Sequence, residues 1–322
     1  MADTHQPRSG SLQFWPRSKA KSIKPRIRSW ANQKESKLLA FIGYKAGMAH
    51  VMIKDNKSTS LTKGETISIP VTIIECPAIK IASSRFYKKT IHGRKLVSEI
   101  LSENLDKTLK KRINLPKKQK VTTPKAEEYD EVKVLVYTFP NKLSTGKKIP
   151  DLMEIAIGGT KEEQIDFIKE NNGKELTIES VFEDNEVVDV RAVTRGKGFQ
   201  GSVKRFGIGL KARKSEKGRR NPGSLGPWKG QTHIMWKVAH AGQTGFHQRT
   251  EYNKQILKIE NELDNINPKG GINKYGLIRN ASVIIKGSIP GPKKRLIVLT
   301  KPMRYNKTLP KEAATIEKIV IQ

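Results

Sequence analysis

Apolar residues along this chain come in short runs whose spacing switches between two and about 3.6, separated by long stretches that follow neither. KLLAFIGY over Lys37–Tyr44 and the run Met48–Lys54 predict two strands flanking a glycine turn, and the β-branched TISIPVTIIE over Thr66–Glu75 predicts another. Apolar residues at 97, 101, 105, 109 and 113, with Ile100 beside them, have helical spacing and predict a helix over Leu96–Ile113. EVKVLVYTF predicts a strand at Glu131–Phe139. Thr160-Lys-Glu-Glu163 forms a capping box, in which hydroxyl and carboxylate each satisfy an orphan amide. A helix through Ile165 and Ile168 follows and stops at Asn171-Asn172-Gly173. Leu176–Phe182 and Val187–Val193 predict strands, as do Ser282–Lys286 and Arg295–Thr300 around a Pro-Gly-Pro corner, and Thr315–Ile321.

This pattern predicts a mainly β protein. An antiparallel β core is built from 37–80, 175–195 and 280–322, with an α/β insert at 81–175. An arm at 1–36 precedes it, and a long excursion at 196–279 leaves between two strands.

Charge changes the picture of the parts without periodicity. The 322 residues hold 62 Lys and Arg against 31 Asp and Glu, a formal charge of +31. Such a chain repels itself unless a polyanion neutralises it, and nucleic acid comes ahead of an anionic membrane as the candidate. The charge is also unevenly placed. Thr4–Lys34 has eight basic residues and no acid, and Arg191–Thr250 has fourteen against Glu216 alone, whereas Asp151–Val190 holds twelve acids and three lysines. Both basic tracts are too poor in aliphatic residues to fold by burial alone, so they are expected to become ordered when phosphates and bases supply counter-charge and stacking surfaces. The basic run Lys80–Lys125 reads as an ordinary solvated face.

Other chemistry is sparse. The single cysteine, Cys76, excludes an intramolecular disulfide and reads as a buried structural residue at a strand end. No Cys/His set has zinc-site spacing. No apolar run is long enough for a membrane span, and the N-terminus has no apolar segment of a signal peptide. Gly196-Lys-Gly-Phe-Gln-Gly201 fits the dinucleotide fingerprint only superficially, because Gly207 and Gly209 would break the helix it needs and Glu216 is the first acid after it. These glycines read instead as places where the backbone approaches a phosphate chain, with Lys197, Lys204 and Arg205 as counter-charges. His233, His240 and His247 recur every seven residues, but glycine-rich chain does not align them as metal ligands, so they read as polar, stackable contacts. In GSLGPWKGQ (Gly223–Gln231), Trp228 sits among residues that cannot enclose it, so something outside the chain is expected to receive it. No paired carboxylates and no nucleophile–base set stand out, which argues against an enzyme.

Phe182, Asp189, Ala192, Thr194, Gly196, Lys197, Gly198, Gly201 and Arg205, with their spacing, resemble the signature of the universal large-subunit ribosomal protein L-three family. GPWKGQTHIMWKVAHAGQTGFHQR resembles the central extension of its archaeal and eukaryotic branch, and PRSGSLQFWPR resembles that branch's N-terminal arm. The chain lacks the lysine-rich C-terminal tail of eukaryotic members, which points to an archaeal source. The resemblance implies a closed antiparallel β-barrel of the translation-protein type with long basic RNA-binding extensions. It also implies a structural role in the large ribosomal subunit, rRNA binding early in assembly, and an extension reaching toward the peptidyl-transferase centre with Trp228 at its tip.

Expected rRNA contacts in the arm are Arg8, Trp15, Arg17, Lys19, Lys21, Lys24, Arg26 and Arg28. Where the extension leaves the core they are Arg195, Lys197, Phe199, Lys204 and Arg205, followed by Lys211, Arg213, Lys214, Arg219 and Arg220. At the tip and on the return they are Trp228, Lys229, His233, Trp236, Lys237, His240, His247 and Arg249. Implied partners are large-subunit rRNA and neighbouring proteins of the L-fourteen and L-twenty-four-e types, with no cofactor, metal, membrane or homo-oligomer. The implied location is the cytoplasmic ribosome. An RNA-modifying enzyme with basic recognition tracts, or a DNA-compacting protein, are the competing readings.

Overall fold

The first strand, β1 (Ala40–Lys54), runs unbroken through Gly47, where the hydrophobic pattern predicts a turn between two strands. A bulge between Lys45 and Gly47 takes up the extra residue. Gly43, also inside the strand, is there for close approach: a Cβ would stand 2.5 Å from Ile74 Cγ2 and 2.9 Å from Cys76 Sγ. The computed structural model of the chain describes residues 8–56, 60–116, 124, 127–227, 233–306 and 315–321.

In chain order the next elements are β2 (Thr66–Glu75), β3 (Ile79–Thr90), β4 (Gly93–Leu101), β5 (Glu131–Thr138) and β6 (Leu152–Ala156). Helix α1 (Lys161–Asn171), β7 (Glu175–Leu176), β8 (Val187–Val193), β9 (Phe199–Gln200), α2 (Ser202–Phe206) and β10 (Gly242–Gln243) follow. The chain closes with β11 (Gln248–Glu260), β12 (Ser282–Lys286), β13 (Leu296–Thr300) and β14 (Thr315–Val320). It divides into two units, Met1–Ile23 with Val193–Gln248, and Lys24–Ala192 with Arg249–Gln322.

The larger unit holds both main sheets. One has the strand order β13-β8-β11-β12-β2-β1-β14, with β13 also pairing β1. Antiparallel register sets Phe41 opposite Leu299 and Val283 opposite Ile74. The second sheet runs β4-β3-β5-β6, with β7 on β3. A continuous apolar core joins residues of both, among them Phe41, Ile73, Val134, Ile155, Val190 and Ile284. Burying each such side chain contributes about 1.5–3 kcal/mol, which offsets the entropy of ordering the strands. At the end of β2, Glu75 is fully buried. Its carboxylate accepts the Tyr275 hydroxyl, the Arg279 amide at 2.9 Å, and the Asn280 amide and side-chain nitrogen at 3.1 and 2.7 Å. Four donors replace the water this carboxylate has lost.

The helix predicted over Leu96–Ile113 is absent. Gly93–Leu101 is an edge strand on β3, and only Lys107–Lys111 turns, as a 3-10 helix. The apolar spacing comes from two different contacts. Ile100 packs beside Phe86, Tyr129 and Val132, while Leu105 and Ile113 flank Leu109 against Leu135 and Tyr137. The strand predicted over Leu176–Phe182 is also corrected. It ends at Leu176, and Ile178–Ser180 is a 3-10 turn in which Val181 and Phe182 both donate to Ile178 O at 3.0 Å. Ile178, Val181 and Phe182 are buried together, which is helical and not alternating spacing. Helix α1 forms as predicted, with the Glu163 carboxylate accepting the Thr160 amide at 2.9 Å.

Candidate nucleic-acid interface

The smaller unit is a two-legged excursion growing from the end of β8. Thr194 N donates to His247 O at 2.9 Å, Lys197 N to Thr244 O at 2.9 Å and Thr244 N to Gly198 O at 2.9 Å, and β9 then pairs with β10. Two glycines permit this narrow ladder. Gly198 adopts φ +69, and Gly245 adopts φ +70 with the Arg195 carbonyl oxygen where a Cβ would stand. After the dinucleotide-like stretch Gly196–Gly201 a helix does begin, α2, but it is five residues long and ends at Gly207 in the left-handed conformation.

The N-terminal arm is fastened to this excursion. Ala20 N donates to Phe246 O at 2.8 Å, and His247 Nδ1–H donates to Ser18 O at 2.8 Å. Trp15 stacks on Phe206 with ring centroids 5.9 Å apart and meets Trp236 edge-on at 5.2 Å. The Arg17 guanidinium lies 4.2 Å from the Phe206 ring centre and donates to Arg205 O at 3.1 Å. Arg205 in turn donates to Gln243 O at 3.1 Å and His240 O at 2.9 Å. The two basic tracts therefore hold one another through the chain's own side chains, a link their aliphatic-poor composition conceals. Phe206, Ser18 and Gln243 were absent from the predicted set. Only the stop signal of Gly207 after SVKRF marked Phe206 as part of an element.

The electrostatics are one-sided. This unit's described residues carry fifteen Lys and Arg, four in the arm and eleven in the excursion, against Glu216. Burial, and then Arg8, lower the pKa of Arg17; burial, and then Arg17, lower that of Arg205. Guanidinia are thus crowded together, with no carboxylate ion-paired to them among the described residues.

The predicted contacts fall into five groups. Arg8, Lys19, Lys21, Arg195, Lys197, Lys204, Lys211, Arg213, Lys214, Arg219, Arg220, His233 and Lys237 are exposed, as is Phe199, at 76%. Trp15, Arg17 and Arg205 are half-buried and His247 is 7% exposed, and their contacts brace the unit; Trp236 also braces it while remaining largely exposed. His240 is half-buried. Lys24, Arg26, Arg28 and Arg249 belong to the larger unit, where Lys24 Nζ donates to Leu152 O at 2.8 Å. Trp228 and Lys229 lie outside the described residues. Among the described residues no group of three or more His, Cys, Asp or Glu is placed to hold a metal, and no helix is long and apolar enough to cross a membrane.

The family model "Ribosomal protein L3" matches residues 1–321. The chain belongs to the ribosomal protein L3 family. Among the L3 relatives, the large ribosomal subunit protein uL3 of Archaeoglobus fulgidus is 48% identical over 309 residues, covering 93% of this chain and 92% of that protein. The proteins of the same name from Methanobrevibacter smithii and Methanothermobacter thermautotrophicus are 44% identical over 318 residues and 45% identical over 326 residues. They cover 95% and 94% of this chain, and 94% of their own length in both cases. L3 family membership thus spans both units and not the β core alone.

Proposed function

We propose that this chain is a structural constituent of the large ribosomal subunit that binds rRNA directly. One observation carries the reading: a unit with fifteen cations against Glu216 turns most of that charge to solvent while its aromatic residues brace it. Membership of a family whose relatives are named for the large subunit supplies the setting. The arm (1–36) and the central extension (196–279) enter the RNA, bind it early in assembly and carry Trp228 toward the peptidyl-transferase centre. Proteins of the L-fourteen and L-twenty-four-e types are the expected neighbours, on a ribosome in the cytoplasm. Glycines support close RNA approach. Gly201 and Gly209 have no left-handed φ and open space where a Cβ would stand, so nothing in the protein itself requires glycine there.

We also read the core at 37–80, 175–195 and 280–322, with β11, as a closed barrel of the translation-protein type. Support comes from the pairings, since the path β1-β2-β12-β11-β8-β13 returns to β1. The enzyme reading gains no support from a family of structural proteins.

The test is a titration of the full chain against large-subunit rRNA over a range of salt. For ~10 neutralised phosphates the log–log slope is about −7. A slope near zero, or preference for duplex DNA in competition, would overturn the reading.

A further inference from the structure

The β3–β4 hairpin leaves its sheet. Strand β5 pairs with β3 only as far as Tyr87, opposite Glu131, and the hairpin continues alone through Lys88↔Lys95, Lys89↔Arg94 and Thr90↔Gly93. Residues 88–97 are all exposed, and Ile91 at the apex is 101% exposed. Both of the first two cross-strand pairs set like charges directly opposite one another, which destabilises a ribbon that no third strand supports.

Inside the sheet the cations are matched. Arg85 lies 3.1 Å from Glu99, and Lys133 3.3 Å from Glu154. Beyond the sheet Arg94 alone of the ribbon's cations keeps an ion pair among the described residues. Arg94 Nε meets Glu131 at 2.6 Å, and the Asp130 carboxylate accepts the Lys89 amide at 2.8 Å, but Lys88, Lys89 and Lys95 have no ion pair among the described residues. Lysine on an edge strand is a common guard against unwanted strand pairing. Both strands of the free ribbon are edges, so that guard applies to Lys88, Lys89 and Lys95 alike, but it does not account for cations set directly opposite one another.

The fold adds a second basic segment. Arg94 Nη1 donates to Arg28 O at 3.4 Å, so Arg28, 66 residues away in sequence, lies beside the ribbon with Arg26 two residues before it. Arg26 and Arg28 are both exposed. Two basic stretches that look unrelated along the chain share one surface of the larger unit.

We propose that this surface, made of Arg26, Arg28, Lys88, Lys89, Lys95 and the apex at Ile91, is a further RNA-binding site that grips phosphates of folded RNA. It rests on the rRNA-binding reading and extends it to the larger unit. Among the described residues Glu131 relieves Arg94 alone, and a polyanion would relieve Lys88, Lys89 and Lys95. Ile91 and His92 present an apolar and a stackable face beside the phosphate-binding cations.

The chain offers a clean way to test this. Cys76 is buried, and burial followed by Glu75 pushes its thiol pKa up, so a cysteine introduced on the surface is labelled selectively. An iron-chelate cleavage reagent is attached to Ile91→Cys and, separately, to Phe199→Cys, and each full chain is bound to large-subunit rRNA. Strand scission directed from position 91 is expected. Scission from 199 but none from 91 would overturn the hairpin site while leaving the rRNA reading intact, and scission from neither would overturn both. As an independent measurement, Lys88→Ala, Lys89→Ala and Lys95→Ala combined should reduce the magnitude of the salt slope by about 2, at about 0.7 per lost phosphate contact. Affinity should fall at least tenfold with a melting temperature that is unchanged or slightly higher. An unchanged slope in a folded variant would overturn the site.

Discussion

Replacing Trp15 with alanine tests whether the arm and the extension order each other. Its ring makes two aromatic contacts, at 5.9 Å with Phe206 and 5.2 Å with Trp236, in stacked and edge-on geometries. Each such pair contributes about 0.5–1.5 kcal/mol beyond buried area. The Arg17 guanidinium, 5.7 Å from the Trp15 ring, adds ~0.5 kcal/mol at a half-exposed site. The variant therefore loses about 2 kcal/mol of local stability, and since 1.4 kcal/mol is tenfold, opening of the smaller unit becomes ~25 times more frequent. Native-state amide exchange of the RNA-free protein reads this directly. The amides to follow are Ala20, bonded to Phe246 O, and Lys197 and Thr244 in the ladder between the legs. Their protection should fall ~25-fold, while amides in β1 keep theirs. Unprotected exchange of these three amides in the unaltered protein, or equal protection in the variant, would refute the reasoning and return both tracts to the RNA-templated state their composition suggests.

Two glycine substitutions separate internal from external demands on the backbone. Gly245→Ala combines φ +70 with a collision at the Arg195 carbonyl, so the extension should lose at least ~2 kcal/mol of protection in the same exchange experiment. Gly209→Ala meets open space, so the melting temperature should stay the same or rise slightly, by about 0.5 kcal/mol of stability, while rRNA affinity in a filter-binding assay falls. In the core, Glu75→Ala leaves the Tyr275 hydroxyl and the Arg279 and Asn280 amides without their acceptor. Calorimetry should record a loss of about 3 kcal/mol, or roughly 10 °C, with Glu75→Gln losing less because it keeps one acceptor oxygen.

The sequence by itself determined what short-range chemistry determines. The capping box at Thr160 and Glu163 produced its helix, and the β-branched run at Thr66–Glu75 produced β2, because their signals are local. The separation of charge was equally legible, since it needs only counting, and the glycine-centred signature from Phe182 to Arg205 was sufficient for the family. What the tertiary structure alone decided were the pairings of residues far apart in the chain. Strand β11 is polar over most of its length, with Ile256, Leu257 and Ile259 only near its end, and carries Asn253 at φ +54, so its neighbours in the sheet make it a strand. Leu96–Ile113 has apolar spacing of helical period, but a backbone edge on β3 was available, and satisfying its hydrogen bonds outweighed local propensity. The same holds for the site. Trp15, Arg17 and His247 carry the residue types of RNA contacts, yet partners up to 229 positions away claim them as braces. Residue type and spacing reveal which groups are able to bind; which of them remain free to do so depends on contacts that close loops of a hundred residues or more, and no local pattern records those.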